Sequence, residues 1–191
     1  MKKKISAAFI LAAGFGTRLK PLTDNIPKAL VAYKGKPMIE NVISKLRDYG
    51  ITEFFINTHH FADKMEEYFR TREGDEKITL IHEKEILGTG GALKNAAGYL
   101  EQYEDFILYN TDVDSELDIN ELVLSHLDNA PLATLCVQNR FTSRYLIGKK
   151  DGTLVGRTEN NEDKLYKDVQ DVDKPCKKLA FCGIHIVNSR I

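Results

Sequence analysis

The stretch FILAAGFGTRLKPLTDNIPKAL, residues 9–30, constrains this chain more than any other. An apolar run over residues 5–12 has the pattern of a strand buried on both faces. It stops at once in a loop carrying Gly14, Gly16, Thr17 and Arg18, and a Pro27-Lys28 pair follows ten residues after the arginine. A buried strand that ends in a small, flexible, cationic loop is suited to lie against something anionic. In open parallel sheets such loops stand beyond the carboxyl ends of the strands, where ligands gather.

The rest of the chain supports a sheet of that kind. Met38, Ile39, Val42, Ile43, Leu46 and Tyr49 follow helical spacing, with Pro37 at the start and Gly50 as a C-terminal cap. Residues 53–57, 77–81, 105–109 and 132–137 read as strands, with helical patterns over 61–69, 90–100 and 119–127. Residues 29–33 are a further short strand candidate. Strands alternating with helices imply βαβ units and a mostly parallel sheet. Beyond residue 137 the pattern changes to short strand-like pieces at 144–147 and 153–156. The polar stretch RTENNEDKLYKDVQDVDKP reads as a loop, and LAFCGIHIV as a last strand.

Bulk properties narrow the function. A length of 191 residues suits one domain with a real core. A net charge of −1 argues against broad nucleic-acid binding but not against a local cationic pocket. No run approaches the ~20 apolar residues of a membrane helix. The start MKKKISAAFILAAG mimics a signal peptide, but its apolar run passes straight into the glycine loop. Three cysteines, with no CxxC pair, point to a reducing, cytoplasmic setting.

Several residues are chemical candidates. The loop AAGFGTRL is neither a P-loop nor the dinucleotide fingerprint, whose third glycine is replaced by Leu19. Its backbone N–H groups can approach phosphate oxygens, and Arg18 adds a planar cation; a tight turn with a surface arginine is the plainer alternative. Lys28, held beside a proline, is either a point charge for phosphate or a solvated lysine. Asp112, at the carboxyl end of the strand DFILYNTD, suits Mg²⁺ or a turn, and Asp114 could assist. In HEKEILGTGGAL, Gly88, Thr89, Gly90 and Gly91 allow close approach to a base, and Glu83 or Glu85 could accept from a ring N–H. His59-His60 lacks a third ligand nearby and fits a structural or sugar-pocket role better than zinc.

Together these stretches resemble the sugar-1-phosphate nucleotidylyltransferase family. The motif LAAGFGTRLKPLTDNIPKALVAYKGKPMIENVI fills almost every fixed place of its first signature. LGTGGAL is similar to its second nucleotide segment, and LYNTDV to its metal segment, with Thr111 where the family usually has Gly. NTHHFAD and TSRYLIGKKDGTLVGRTEN most resemble the short branch of N-acetylmuramate-1-phosphate uridylyltransferases and mannose- or heptose-1-phosphate guanylyltransferases. The resemblance implies a three-layer α/β/α, Rossmann-like fold in one domain over residues 1–191. It implies the reaction of an NTP, UTP or GTP, with a sugar 1-phosphate to give an NDP-sugar and pyrophosphate, as used for cell-envelope polysaccharides. By the same resemblance Leu11, Ala12, Ala13, Gly14, Gly16, Thr17, Arg18, Lys28, Glu83, Gly88 and Thr89 bind nucleotide. Asn110, Tyr145, Gly148 and Lys174 face the sugar phosphate, and Asp112 holds Mg²⁺. The expected catalytic set is Arg18, Lys28 and Asp112.

The chain departs from the family in stopping at Ile191, before a segment that carries a second metal-binding Asp, so a C-terminally truncated form with weak turnover is the expectation. A non-catalytic binding module and a cytidylyltransferase for phosphocholine or a similar phosphate are the alternatives.

Overall fold

The computed structural model of the chain describes residues 5–166 and 176–191. The chain divides into two compact units, one of residues up to Thr134 with Ile184–Ile191, the other of Leu135–Gly183.

In the first unit the chain order is β1 (Ala7–Leu11), β2 (Ala32–Tyr33), β3 (Lys36–Pro37), α1 (Met38–Tyr49), β4 (Glu53–Thr58), α2 (Ala62–Thr71), β5 (Lys77–His82), α3 (Gly88–Leu100), β6 (Asp105–Asn110) and α4 (Ile119–Asn129). The strands lie side by side as β5-β4-β1-β6, all parallel. Residues 184–188 pair antiparallel on the far side of β6. This is the α/β sheet expected from the alternation. The register sets Leu11 between Asn57 and Asn110, so three strands end level at their carboxyl ends.

Both faces of this sheet are covered. Phe9, Phe55, Phe106 and Leu108 pack with Ala92, Ala96 and Leu100 of α3. The alanines keep that helix close to the strands. The alternate strand residues, Ala8, Ile10, Phe54, Ile56 and Ile107, point the other way and are equally buried. Helix α1 buries Ile39, Val42, Ile43 and Leu46 and meets α4. Its end is set by Gly50, whose φ of 110° no side chain adopts easily and whose N–H bonds to the Leu46 and Arg47 carbonyls. Asp118 caps α4 by accepting from the Asn120 N–H at 2.8 Å.

The second unit follows β7 (Ala133–Gln138), whose first two residues belong to the first unit, and holds β8 (Tyr145–Gly148), β9 (Leu154–Glu159), β10 (Glu162–Leu165) and the first half of β11 (Lys177–Asn188). Its pairings among β8, β9, β10 and residues 177–180 are antiparallel.

Three sequence expectations need correction. Residues 29–33 form a 3₁₀ turn over Lys28–Leu30 before the two-residue β2. Helix α3 begins at Gly88, two residues early. The polar stretch read as a loop contains the β9–β10 hairpin, turned by Asn160 and Asn161 with φ of 52° and 64°. Two consecutive left-handed residues make the turn that favours tight hairpins, and asparagine tolerates it.

Candidate active site

The level ends of β1, β4 and β6 open into a cleft of about 260 Å³. Leu11, Ala13 and Gly14 line one side and Ile86, Gly88 and Thr89 another, with Lys28, Asn57, Glu83, Asn110 and Asp112 between them. Residues from four separate motifs therefore meet in one place. A larger cavity of about 710 Å³ opens at the amino end of β6, beside Asp105, His126 and Asn188. It lies away from the carboxyl ends of the strands, and those three side chains already bond to one another.

Lys28 Nζ stands 2.8 Å from Asp112 Oδ2, with the lysine 18% and the aspartate 40% exposed. Each charge neutralises the other while the other faces of both groups remain reachable. The turn Lys28–Leu30 follows Pro27, whose fixed φ sets its entry. Asp112 is carried by a loop that Thr111 pins to β1: the Thr111 hydroxyl donates to the Leu11 carbonyl at 2.7 Å, and its N–H donates to the same oxygen at 3.2 Å. The replacement of glycine by threonine at this point thus has a structural use. Asp114 is held elsewhere, by Lys34 at 2.6 Å and Tyr33 at 3.0 Å, and these bonds keep its carboxyl below the usual carboxylate range.

The glycine loop is shaped by contact as well as conformation. Gly16 has φ +65°, and its carbonyl accepts from the buried Thr23 hydroxyl at 2.9 Å. A Cβ there would lie 2.8 Å from Thr23 Cγ2 and 3.0 Å from Lys28 Cβ. Gly88 has φ +68° but open space around it. Both Gly16→Ala and Gly88→Ala are expected to cost about 1–2 kcal/mol from the left-handed backbone alone. Gly16→Ala should cost more, because the new Cβ collides with Thr23, and it should also lower ligand affinity, because it crowds Lys28. Thermal unfolding of the two variants side by side checks the order.

Other expected site residues fall outside the cleft. Ala12 is buried beneath it, and Thr17 and Arg18 are exposed on a short 3₁₀ turn that does not line it. Tyr145 and Gly148 belong to the second unit, where Tyr145 lines a separate cavity of about 640 Å³ with Arg144, Arg157 and Glu159. Lys174 lies outside the described residues. His59 Nδ1 bonds to the Glu83 carbonyl at 2.8 Å, while the His60 ring packs against Phe61 at 4.0 Å and Phe15 at 5.4 Å. Asn57 and Ile86 are the cleft residues that the sequence did not single out, and Asn57 is the polar one. An asparagine closing an apolar strand, at a position that must be buried, was the available clue.

A Mg²⁺ ion in this cleft would have Asp112 as its protein ligand. Asp112 offers hard carboxylate oxygens, and no group of three or more His, Cys, Asp or Glu residues is assembled to hold a metal among the described residues. Substrate phosphates and water would complete the shell, as is usual for this ion.

A parallel sheet with a glycine-rich loop at its first strand and a lysine–aspartate pair in the cleft defines an α/β protein with a ligand cleft at the carboxyl ends of its strands. The chain belongs to the nucleotidyl transferase family, whose sequence model matches residues 7–148. It is 38% identical over 188 residues to "Probable mannose-1-phosphate guanylyltransferase 1" of Oryza sativa subsp. japonica, covering 96% of this chain and 50% of the relative. It is 36% identical over 111 residues to the N-acetylmuramate alpha-1-phosphate uridylyltransferase of Caulobacter vibrioides, covering 56% and 46%. Among solved structures, HddC from Yersinia pseudotuberculosis complexed with GMP-PN superposes with a TM-score of 0.74 at 27% identity, over 97% of this chain and 78% of that one. The chain spans about half the length of the curated relatives it matches. Among the described residues no helix is long and apolar enough to cross a membrane.

Proposed function

We propose that this chain is a nucleotidylyltransferase that joins a nucleoside triphosphate to a sugar 1-phosphate, giving an NDP-sugar and pyrophosphate. The observation that carries this reading is the Lys28–Asp112 pair at 2.8 Å, set between two glycine-rich segments at the carboxyl ends of the sheet. The named relatives act with guanine or uracil nucleotides, which favours GTP or UTP.

The phosphate oxygen of the sugar 1-phosphate attacks the α-phosphorus in line. The new P–O bond forms as the bond to the β-phosphate oxygen breaks, and the electron pair leaves with pyrophosphate. A phosphate dianion needs no base to remove a proton, so positioning and charge neutralisation carry the catalysis. The Gly14–Gly16 loop presents backbone N–H groups to the phosphates, Lys28 neutralises charge at the reacting centre, and Arg18 is assigned to the leaving pyrophosphate. Asp112 would hold Mg²⁺, which when bound would supply further charge neutralisation. Asn110, which lines the cleft, is assigned to the sugar phosphate. The reduced thiols of Cys136 and Cys182 suit a cytoplasmic setting, and an NDP-sugar product suits polysaccharide synthesis.

Pyrophosphate release tests the reading, with UTP, GTP, CTP and dTTP crossed against sugar 1-phosphates and phosphocholine in the presence of Mg²⁺. One productive sugar pair supports it. Turnover with CTP and phosphocholine alone moves the activity to the cytidylyl branch, and nucleotide binding without turnover points to a binding module.

A further inference from the structure

A chain of hydrogen bonds, buried except toward Leu87, runs along the floor of the cleft and joins its two glycine-rich segments. The Ala12 N–H donates to Asn57 Oδ1 at 2.6 Å. Asn57 Nδ2 donates to Glu83 Oε1 at 2.8 Å. The Leu87 N–H donates to Glu83 Oε2 at 3.2 Å. Asn57 is 4% exposed and Glu83 1%. Ala12 immediately precedes Ala13 and Gly14, and Leu87 immediately precedes Gly88 and Thr89, all four of which line the cleft.

We infer that Asn57 and Glu83 are positioning residues that clamp the two nucleotide segments at a fixed separation, rather than groups that read the base. The inference rests on the proposed nucleotide site for its purpose but not for its geometry. The direction of every bond in the relay is forced. A backbone N–H can only donate, so Asn57 must turn its oxygen to Ala12 and its nitrogen to Glu83. Glu83 must then accept on both sides, from Asn57 and from Leu87. A side chain with one wrong atom at either end leaves a buried group unsatisfied, and the misfit passes to the far segment.

Glu83 is further fixed through its backbone. Its N–H donates to the Thr58 carbonyl at 2.8 Å, and its carbonyl meets His59 Nδ1 at 2.8 Å. Its carboxylate stands just ahead of the α3 amino terminus, where the helix favours negative charge. Leucine at either position would satisfy burial. The polar pair instead suits a need to hold two loops in register. Asn57 is anchored on the central part of the sheet, with β1 and β5 on its two sides, so the rigid strands set the separation of the loops.

The forced direction gives a test by transposition. Asn57→Asp alone sets two carboxylates against each other. Glu83→Gln alone sets its amide nitrogen against the Leu87 N–H or against the Asn57 nitrogen, or forces Asn57 to flip and strand the Ala12 N–H. The double variant N57D/E83Q restores every bond with donor and acceptor exchanged: the new carboxylate accepts from Ala12 and from the new amide, whose oxygen accepts from Leu87. Amide hydrogen exchange on the unliganded protein is the first readout. Each single variant is expected to speed exchange at both Ala12 and Leu87 by about tenfold or more, and the double variant to return both close to the parent. Titration with GTP and with UTP, each with Mg²⁺, is the second. Apparent nucleotide affinity should fall by a similar factor in the singles and recover in the double. Single variants that disturb only their own segment, or a double variant as impaired as the sum of the singles, would overturn the clamp. If the parent protein binds neither nucleotide, the proposed function fails while the exchange data still judge the clamp.

Discussion

Lys28→Met is expected to reduce turnover by about a hundredfold or more, the scale for loss of a fixed donor aimed at developing charge. The same change should barely alter the folded state. In the free protein Lys28 pairs with Asp112, which is 40% exposed. Water can therefore solvate the aspartate once the ammonium is gone, and such pairs contribute about 0–1 kcal/mol. The contrast between a large kinetic loss and a nearly unchanged melting temperature separates a catalytic lysine from a structural one. Lys28→Arg keeps the charge but replaces a point donor with a planar fork, and should recover part of the activity. Steady-state rates and thermal unfolding of the three proteins measure this. Turnover of Lys28→Met equal to the parent would remove Lys28 from the reaction.

The largest effect on stability is expected far from the cleft, at Arg72. This guanidinium joins Glu40 of α1 at 2.6 Å to Glu76, ahead of β5, at 2.8 Å, and Tyr68 donates to Glu40 at 3.0 Å. The side chains are 9% exposed for Arg72, 15% for Glu40 and 6% for Glu76. Removing the cation leaves the nearly buried Glu40 carboxylate to the Tyr68 hydroxyl and that of Glu76 to a longer contact with Arg47, at 3.3 Å. Arg72→Met should therefore destabilise the fold by about 3 kcal/mol, as breaking a buried pair does.

The pH dependence of this cluster has a definite sign. The hydrogen bond from Arg72 holds the Glu76 carboxyl below the usual range. A carboxyl with a lowered folded pKa contributes stability that is complete above its ordinary pKa and is lost as pH falls through the lowered value. Denaturant unfolding should show that acid-side loss in the parent and a weaker one in Arg72→Met. Burial and the neighbouring Glu40 push the Tyr68 hydroxyl up to about 12, so it stays a donor throughout. Nucleotide affinity of the folded Arg72→Met protein should match the parent.

The elements that position the cleft were readable because each carries an apolar period. Strands β1, β4, β5 and β6 show it, and so do the stripes of α1 and α4. The β9–β10 hairpin was not readable for the opposite reason: all four residues of β10 are exposed, so no alternation marks it. The two asparagines of its turn were the remaining trace. Within the site, Lys28 and Asp112 could be named from their surroundings, but their pairing across 84 residues needed the fold. Arg18 was read as a phosphate ligand from its neighbours, and in the unliganded chain it stands exposed outside the cleft lining. Thr111 looked like an ordinary departure until its bond to the Leu11 carbonyl was seen. Asn57 and Glu83 are 26 residues apart, and nothing in either local pattern joins them.

The most direct test of the central claim follows the α-phosphorus itself. GTP and UTP labelled with ³²P at the α-position are incubated with this chain, Mg²⁺ and the sugar 1-phosphate panel, and the products are separated by charge. The account predicts that label moves from the triphosphate into an NDP-sugar, in step with pyrophosphate, and that Asp112→Asn abolishes the transfer. Label that remains in triphosphate with every acceptor, or that appears as free nucleoside monophosphate, would contradict it.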